Sequence, residues 1–242
     1  GTQRLDEELS SLFPEYPVIR VDRDATRRKD SFRELLSEIH QQPAAILLGT
    51  QMLAKGHHFP SLQLVVMLDM DGGLFSMDFR SEERLAQLMC QVAGRSGRGN
   101  RHGEVVIQTH HPDHALYRAI LCGEYRDHVA KLLQQRDDVA LPPVTFMALL
   151  NAESKNYEQS ERFLNNAKRD LIKGSGFCID VMGPVPAPMG KRRGYSRAQL
   201  LLKSKNRQGL HLLLRPWVRS LSQIDGARQV RWSIDIDPQD ML

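Results

Sequence analysis

Along the first half of the chain, stretches with helical spacing alternate with short unbroken apolar runs. Residues 4–13 carry helical spacing, and Pro17-Val18-Ile19-Arg20-Val21 reads as a short strand. Phe32, Leu35, Leu36 and Ile39 form one helical face between Ser31 and Gln41. A continuous apolar strand, Ala44 to Leu48, leads into a loop rich in glycine and histidine, and Leu64 to Leu68 is a second such strand. Glu82 to Val92 is predicted helical, with Leu85, Leu88, Met89 and Val92 on its apolar face, and Glu104 to Gln108 returns to strand. Uninterrupted Ile/Leu/Val strands between helices predict a parallel sheet covered on both faces.

Pro112 stands at a helix start, and helical pattern continues from Asp113 to about Asp137, broken at Gly123. Leu141-Pro142-Pro143 closes it, because proline ends a helix and restrains the residue before it. The domain boundary is placed there, giving domains 1–140 and 141–242, with a helical linker from about residue 113.

The second half has another rhythm. Phe146 to Asn151 reads as strand, Asn156 to Lys173 as helix and Phe177 to Met182 as strand. A loop carrying Pro184, Pro186 and Pro188 follows, then a strand at Gln199 to Lys203, a helix over 207–222 and a last strand at Gln229 to Ile236. The order β-α-β-β-α-β is that of ferredoxin-like α+β folds.

Composition narrows the class. With 242 residues, 41% hydrophobic and 26% charged, the chain is an ordinary globular sequence long enough for two domains. It has no run near the ~20 apolar residues of a membrane span, and no basic-then-apolar leader suggests secretion. Cys90, Cys122 and Cys178 lie among apolar neighbours and read as buried thiols in a reducing compartment. Charge is unevenly divided. Residues 1–140 hold 17 Lys and Arg against 20 Asp and Glu, whereas 141–242 hold 16 against 9, a surplus of +7 that points to a polyanion.

The chemistry concentrates in Gln91-Val92-Ala93-Gly94-Arg95-Ser96-Gly97-Arg98-Gly99. Two guanidiniums three residues apart, between glycines that admit backbone closely, suit a polyphosphate held between two surfaces. No phosphate-cradling loop, nucleophile or general base accompanies them, so the chain reads as half of an NTP site. The run resembles motif VI of superfamily 2 helicases, Gln-x-x-Gly-Arg-x-Gly-Arg, complete in Gln91, Gly94, Arg95, Gly97 and Arg98.

Gly49-Thr50-Gln51-Met52-Leu53-Ala54-Lys55-Gly56-His57-His58-Phe59-Pro60 resembles motif V of the same superfamily. It follows a buried strand, where ligand-contacting loops sit. The Thr50 hydroxyl and nearby amides suit a nucleic-acid phosphate, and Gly56 permits close backbone approach. His58 stands where the superfamily often has aspartate, and adjacent His57 and His58 diverge too much for a metal pair. The charged loop with Arg23, Arg27, Arg28 and Lys29 occupies a position where the superfamily touches nucleic acid.

Farther on, Lys191-Arg192-Arg193-Gly194-Tyr195-Ser196-Arg197 joins cations to an aromatic ring beside the proline-rich loop. Cations neutralise phosphates and tyrosine can stack on a base. Asp69 and Asp71 flank Met70 after a strand, where hydrogen bonding at the strand end or between lobes outweighs a cation. His110, His111 and His114 lack the cysteines of a zinc site, and Trp217 and Trp232 read as core.

The wording from Ile46 to His57, the run Leu68-Asp69-Met70-Asp71-Gly72-Gly73-Leu74, Leu141-Pro142-Pro143, Gly183-Pro184-x-Pro186-Ala187-Pro188 and Gln199-Leu200-Leu201-Leu202-Lys203 together resemble the primosomal replication-restart helicase family. The resemblance covers essentially the whole chain. It implies a RecA-like helicase lobe 2 followed by a C-terminal DNA- and protein-binding domain of a 3′→5′ DNA helicase. In such a protein Arg95 and Arg98 are catalytic, with Arg98 the arginine finger. Gln91, Gly94, Arg95, Arg98 and Gly56 bind nucleotide. Thr50, Gln51, Lys55 and Arg27 bind DNA, and so do Lys191, Arg192, Arg193, Tyr195 and Arg197, with Lys203, Lys205 and Arg207 as extensions.

The resemblance further implies ATP with Mg2+, held mainly by a first lobe, and Zn2+ in a cysteine-rich segment, ligated by nothing here. Implied partners are forked and single-stranded DNA, single-strand DNA-binding protein and other primosome proteins, in a cytoplasmic, nucleoid-associated setting without membrane. The chain alone is then expected to lack ATPase activity. A rival reading is a non-enzymatic docking module for DNA and single-strand-binding protein.

Overall fold

The computed structural model describes residues 2–21, 37, 39, 41–50, 62–76, 78–94, 103–174 and 179–239. The chain separates into two compact units, Gly1–Ser76 with Arg80–Ile120, and Met77–Phe79 with Leu121–Leu242. The helix over Tyr125–Asp138, read from the sequence as a linker of the first domain, thus belongs to the second unit.

In the first unit, helix α1 (Thr2–Leu12) precedes strand β1 (Val18–Val21), which pairs in parallel with β2 (Ile46–Gly49). A second parallel pair joins β3 (Leu64–Met67) to β4 (Glu104–Ile107), Leu64 opposite Glu104. Among the described residues these are two separate ladders. Leu64 and Val66 are about half exposed, so β3 is not covered on both faces as its apolar run predicts.

Between β3 and β4 stand a one-turn helix α2 (Asp71–Leu74), absent from the sequence reading, and α3 (Ser81–Ala93). Helix α3 buries Leu85, Ala86, Met89 and Val92, and Glu82 and Glu83 in its first turn complement the helix dipole. Helix α4 (Ala115–Cys122) buries Leu116, Tyr117 and Ala119. Cys90 and Cys122 are exposed, contrary to the expectation of buried thiols. Both occupy the polar side of helices whose apolar stripe runs elsewhere, so apolar neighbours in sequence did not mean burial. Cys178 lies outside the described residues.

The second unit begins with α5 (Tyr125–Asp138) and continues as β5 (Phe146–Ser154), α6 (Tyr157–Gly174), β6 (Asp180–Arg192), β7 (Tyr195–Ser204), α7 (Arg207–Leu221), a 3-10 turn (Ala227–Gln229) and β8 (Arg231–Ile236). The sheet order is β6-β7-β5-β8, every neighbour antiparallel. Period-2 alternation sends Ala148, Leu150 and Ala152 of β5 and Ala198, Leu200 and Leu202 of β7 to one face. There they meet Phe163, Leu164, Ala167 and Leu171 of α6 and Leu210, Leu213, Leu214, Trp217 and Leu221 of α7. Burying each large side chain contributes roughly 1.5–3 kcal/mol. Trp217 Nε1 donates to the Ala167 carbonyl at 3.2 Å, so its one polar atom is satisfied. Trp232 packs on this core with its ring stacked on Phe163, 6.4 Å between centroids.

The proline-rich segment corrects the sequence reading. Pro184, Pro186 and Pro188 lie within β6 and not in a loop. The prolines are tolerated because β6 is an edge strand and its pairing shifts register between Met182 and Val185 and again between Pro186 and Lys191. Gly183 sits at the first shift with φ +101°, where a Cβ would come within 2.8 Å of the Gln199 carbonyl oxygen.

Candidate functional site

The carboxyl ends of β3 and β4 are tied together. Asp71 accepts from the Thr109 hydroxyl, from the His110 backbone N–H at 2.9 Å, and lies 2.8 Å from His110 Nδ1. The Thr109 bond, then the His110 backbone bond, bring the Asp71 carboxyl down from 3.8 to about 2. Gln108 Oε1 accepts from the backbone N–H of Asp69, whose φ of +53° turns the chain sharply toward α2. Asp71 thus acts in strand-end hydrogen bonding, as the sequence reading favours. No group of three or more His, Cys, Asp or Glu able to hold a metal occurs among the described residues. Sequence alone missed Thr109 and His110 as Asp71's partners, because they are 38 and 39 residues away.

Thr50 directly follows β2 and is exposed, at the carboxyl end of a parallel strand. Gln91 and Gly94 are exposed in and just beyond the last turn of α3, where the Gly94 N–H bonds the Cys90 carbonyl at 3.0 Å. A helix C-terminus carries a partial negative charge and repels phosphate. Any anion bound there needs cations from elsewhere. Arg95 and Arg98, with Arg27, Gln51, Lys55, Gly56 and His58, lie outside the described residues.

The basic cluster of the second unit is a β-hairpin. Arg192 pairs with Tyr195, and the two residues between them, Arg193 and Gly194, have φ of +51° and +80°. Positive φ at both central positions is the mark of a type I′ turn, whose twist matches that of the strands. Lys191, Arg192 and Arg193 therefore cluster at the tip. Strand β7 begins at Tyr195, earlier than the predicted Gln199, so Tyr195 and Arg197 are strand residues. They alternate onto the face opposite Ala198 and Leu200, away from α6 and α7.

Two residues join this face that the sequence did not single out. Arg197 is opposite Glu153, which is opposite Arg231. The Arg231 guanidinium lies 4.9 Å from the Tyr195 ring centroid and 4.0 Å from Glu153 Oε1. Of the suggested extensions, Arg207 pairs with Asp237 at 2.9 Å and lies over the Phe146 ring.

Two family models match the chain. The helicase conserved C-terminal domain matches residues 1–100, and the primosomal protein N C-terminal domain matches residues 137–239. The chain is 44% identical over 241 residues to the replication restart protein PriA of Haemophilus influenzae, covering 100% of this chain and 33% of that protein. It is 34% identical over 242 residues to the PriA of Bacillus subtilis, covering 100% and 30%. To the PriA of a Synechocystis species it is 36% identical over 203 residues, covering 84% and 24%. The chain spans about a third of the length of these curated relatives, or less.

Proposed function

Because the chain belongs to the PriA family of replication restart proteins, as its C-terminal part, we propose that it supplies the second motor lobe and the C-terminal domain of an ATP-dependent 3′→5′ DNA helicase. The observation that carries this reading is the complete run Gln91 to Arg98 within the helicase-matched residues, at the end of a helix whose dipole cannot hold phosphate unaided. ATP with Mg2+ binds mainly to a first lobe. Closure brings Arg95 and Arg98 to the phosphates, Arg98 stabilising charge on the transferring phosphoryl group and Gln91 sensing the nucleotide. Gly94 and Gly56 allow the close backbone approach.

Thr50, Gln51 and Lys55 hold the tracking strand, with Arg27 on a neighbouring loop. Lobe closure and opening then shift these contacts along DNA. The second unit, read as a ferredoxin-like α+β domain, binds DNA through Lys191, Arg192, Arg193, Tyr195 and Arg197. In the whole protein this serves forked DNA, single-strand DNA-binding protein and primosome partners in the cytoplasm. Zn2+ belongs to another segment of such a protein.

A purified 242-residue chain tests the division of labour. It should hydrolyse no ATP, because Gln91, Arg95 and Arg98 close on a nucleotide that another lobe must hold. It should bind DNA, and less tightly as salt rises. Turnover by the isolated chain refutes the half-site reading. A docking module without motor function is the second reading, favoured by the +7 surplus of residues 141–242.

A further inference from the structure

The basic face continues past the hairpin. Where β5 passes into α6 and the 3-10 turn passes into β8, an open cleft of about 460 Å³ is lined by Tyr195, Glu153, Lys155, Arg228 and Arg231 among others. Its wall is the half-buried Tyr195 ring with the Arg231 guanidinium 4.9 Å from the ring centroid. Arg231 remains 71% exposed in that position. A guanidinium laid beside a ring in this way makes a flat, cationic, partly apolar surface. Arg228 and Lys155 put further positive charge at the mouth, and the tip cations Lys191 to Arg193 belong to the same hairpin as Tyr195.

We propose that this cleft seats one nucleotide of a single-stranded nucleic acid, its base stacked on the Tyr195–Arg231 pair and its flanking phosphates met by Lys155 and Arg228. The inference deepens the reading of the second unit as a nucleic-acid-binding domain and rests on it. A base has the planar face that such a wall matches, and stacking tolerates any sequence. An acidic peptide fits less well. It has no planar face to match the ring. Glu153 can accept a hydrogen bond from an exocyclic amine of a base. Duplex DNA keeps its bases stacked on one another, so the cleft selects strands whose bases are free.

Fluorescence anisotropy on the 242-residue chain tests this with two labelled strands of equal length, an oligothymidylate and an abasic strand with the same phosphates. The chain should bind the strand with bases about tenfold more tightly. Tyr195→Ala should erase that preference while leaving the salt dependence of binding, and Tyr195→Phe should retain the preference. Arg228→Gln, at an exposed position, should weaken both strands alike. An unchanged unfolding midpoint for each variant keeps the comparison free of folding effects. Equal affinity of the wild-type chain for the two strands, or a preference that survives Tyr195→Ala, overturns the proposal while leaving DNA binding by the unit intact. Failure of both strands to bind in a salt-dependent way overturns the underlying reading as well. Tyr195-dependent binding of an oligoglutamate in place of either strand assigns the cleft to an acidic protein partner.

Discussion

His110 Nδ1 lies 2.8 Å from Oδ2 of Asp71, and the bond closes a clasp between the carboxyl ends of two neighbouring parallel strands. The carboxylate also takes the Thr109 hydroxyl and the His110 backbone N–H, so one ionised side chain holds the segment after β4 against α2.

The clasp carries a pH signature. The Asp71 carboxyl titrates at about 2 in the fold against an ordinary 3.8, held down chiefly by the Thr109 bond. A depressed carboxyl pKa contributes stability that is complete above the unfolded value and disappears as pH falls through the folded one. Urea unfolding should therefore show Asp71→Asn less stable than wild type at pH 6, with the gap closing between about pH 4 and pH 2. A gap of constant size across that range would show that the charge of Asp71 is not what holds the clasp.

The bulged edge strand gives a second prediction. At φ +101°, with the Gln199 carbonyl oxygen 2.8 Å from the place a Cβ would take, Gly183 leaves no room for alanine. Gly183→Ala should cost about 1–3 kcal/mol of unfolding free energy, since both backbone strain and overpacking act. Denaturant melting reads this directly. A loss of a few tenths of a kcal/mol would mean that the bulge shifts freely.

Trp217 anchors the core of the second unit, buried against α6 with its indole N–H on the Ala167 carbonyl. Trp217→Ala should destabilise by about 3–5 kcal/mol. Trp217→Phe, which keeps most of the volume and drops the hydrogen bond, should cost clearly less. Similar losses for the two variants would put the hydrogen bond above the packing.

How much of this was legible beforehand depended on the range of the signal. The core of the second unit could be read from local periodicity, because the alternation of Ala148, Leu150 and Ala152 and the stripe of α7 each lie within one element. Pro184, Pro186 and Pro188 misled. Proline ordinarily marks a loop, and only the sheet order makes β6 an edge strand that tolerates it. Cys90 and Cys122 misled for a related reason, since composition around a residue does not say which side of a helix it occupies. The Tyr195–Arg231 and Asp71–Thr109 contacts cross long sequence separations that no local pattern encodes. The runs resembling motifs V and VI are each local in sequence, and most of their residues lie outside the described ones.

The hairpin tip predicts a salt effect. If Lys191, Arg192 and Arg193 neutralise DNA phosphates, changing them to glutamine should weaken duplex binding for all sequences. It should also flatten the log–log salt dependence by about 0.9 for each phosphate no longer neutralised. Anisotropy titrations at several salt concentrations supply the slope. An unaltered slope removes the hairpin tip from the DNA interface.

The arginine pair is the centre of the account. The most direct measurement is the DNA-stimulated ATPase rate of a full-length protein containing this chain, with Arg98→Ala compared against wild type under saturating ATP. Turnover should fall by about 10³–10⁵ while nucleotide binding persists, as expected for a group that acts on the transition state. A rate near that of wild type would contradict the assignment of this chain as the lobe that closes on ATP.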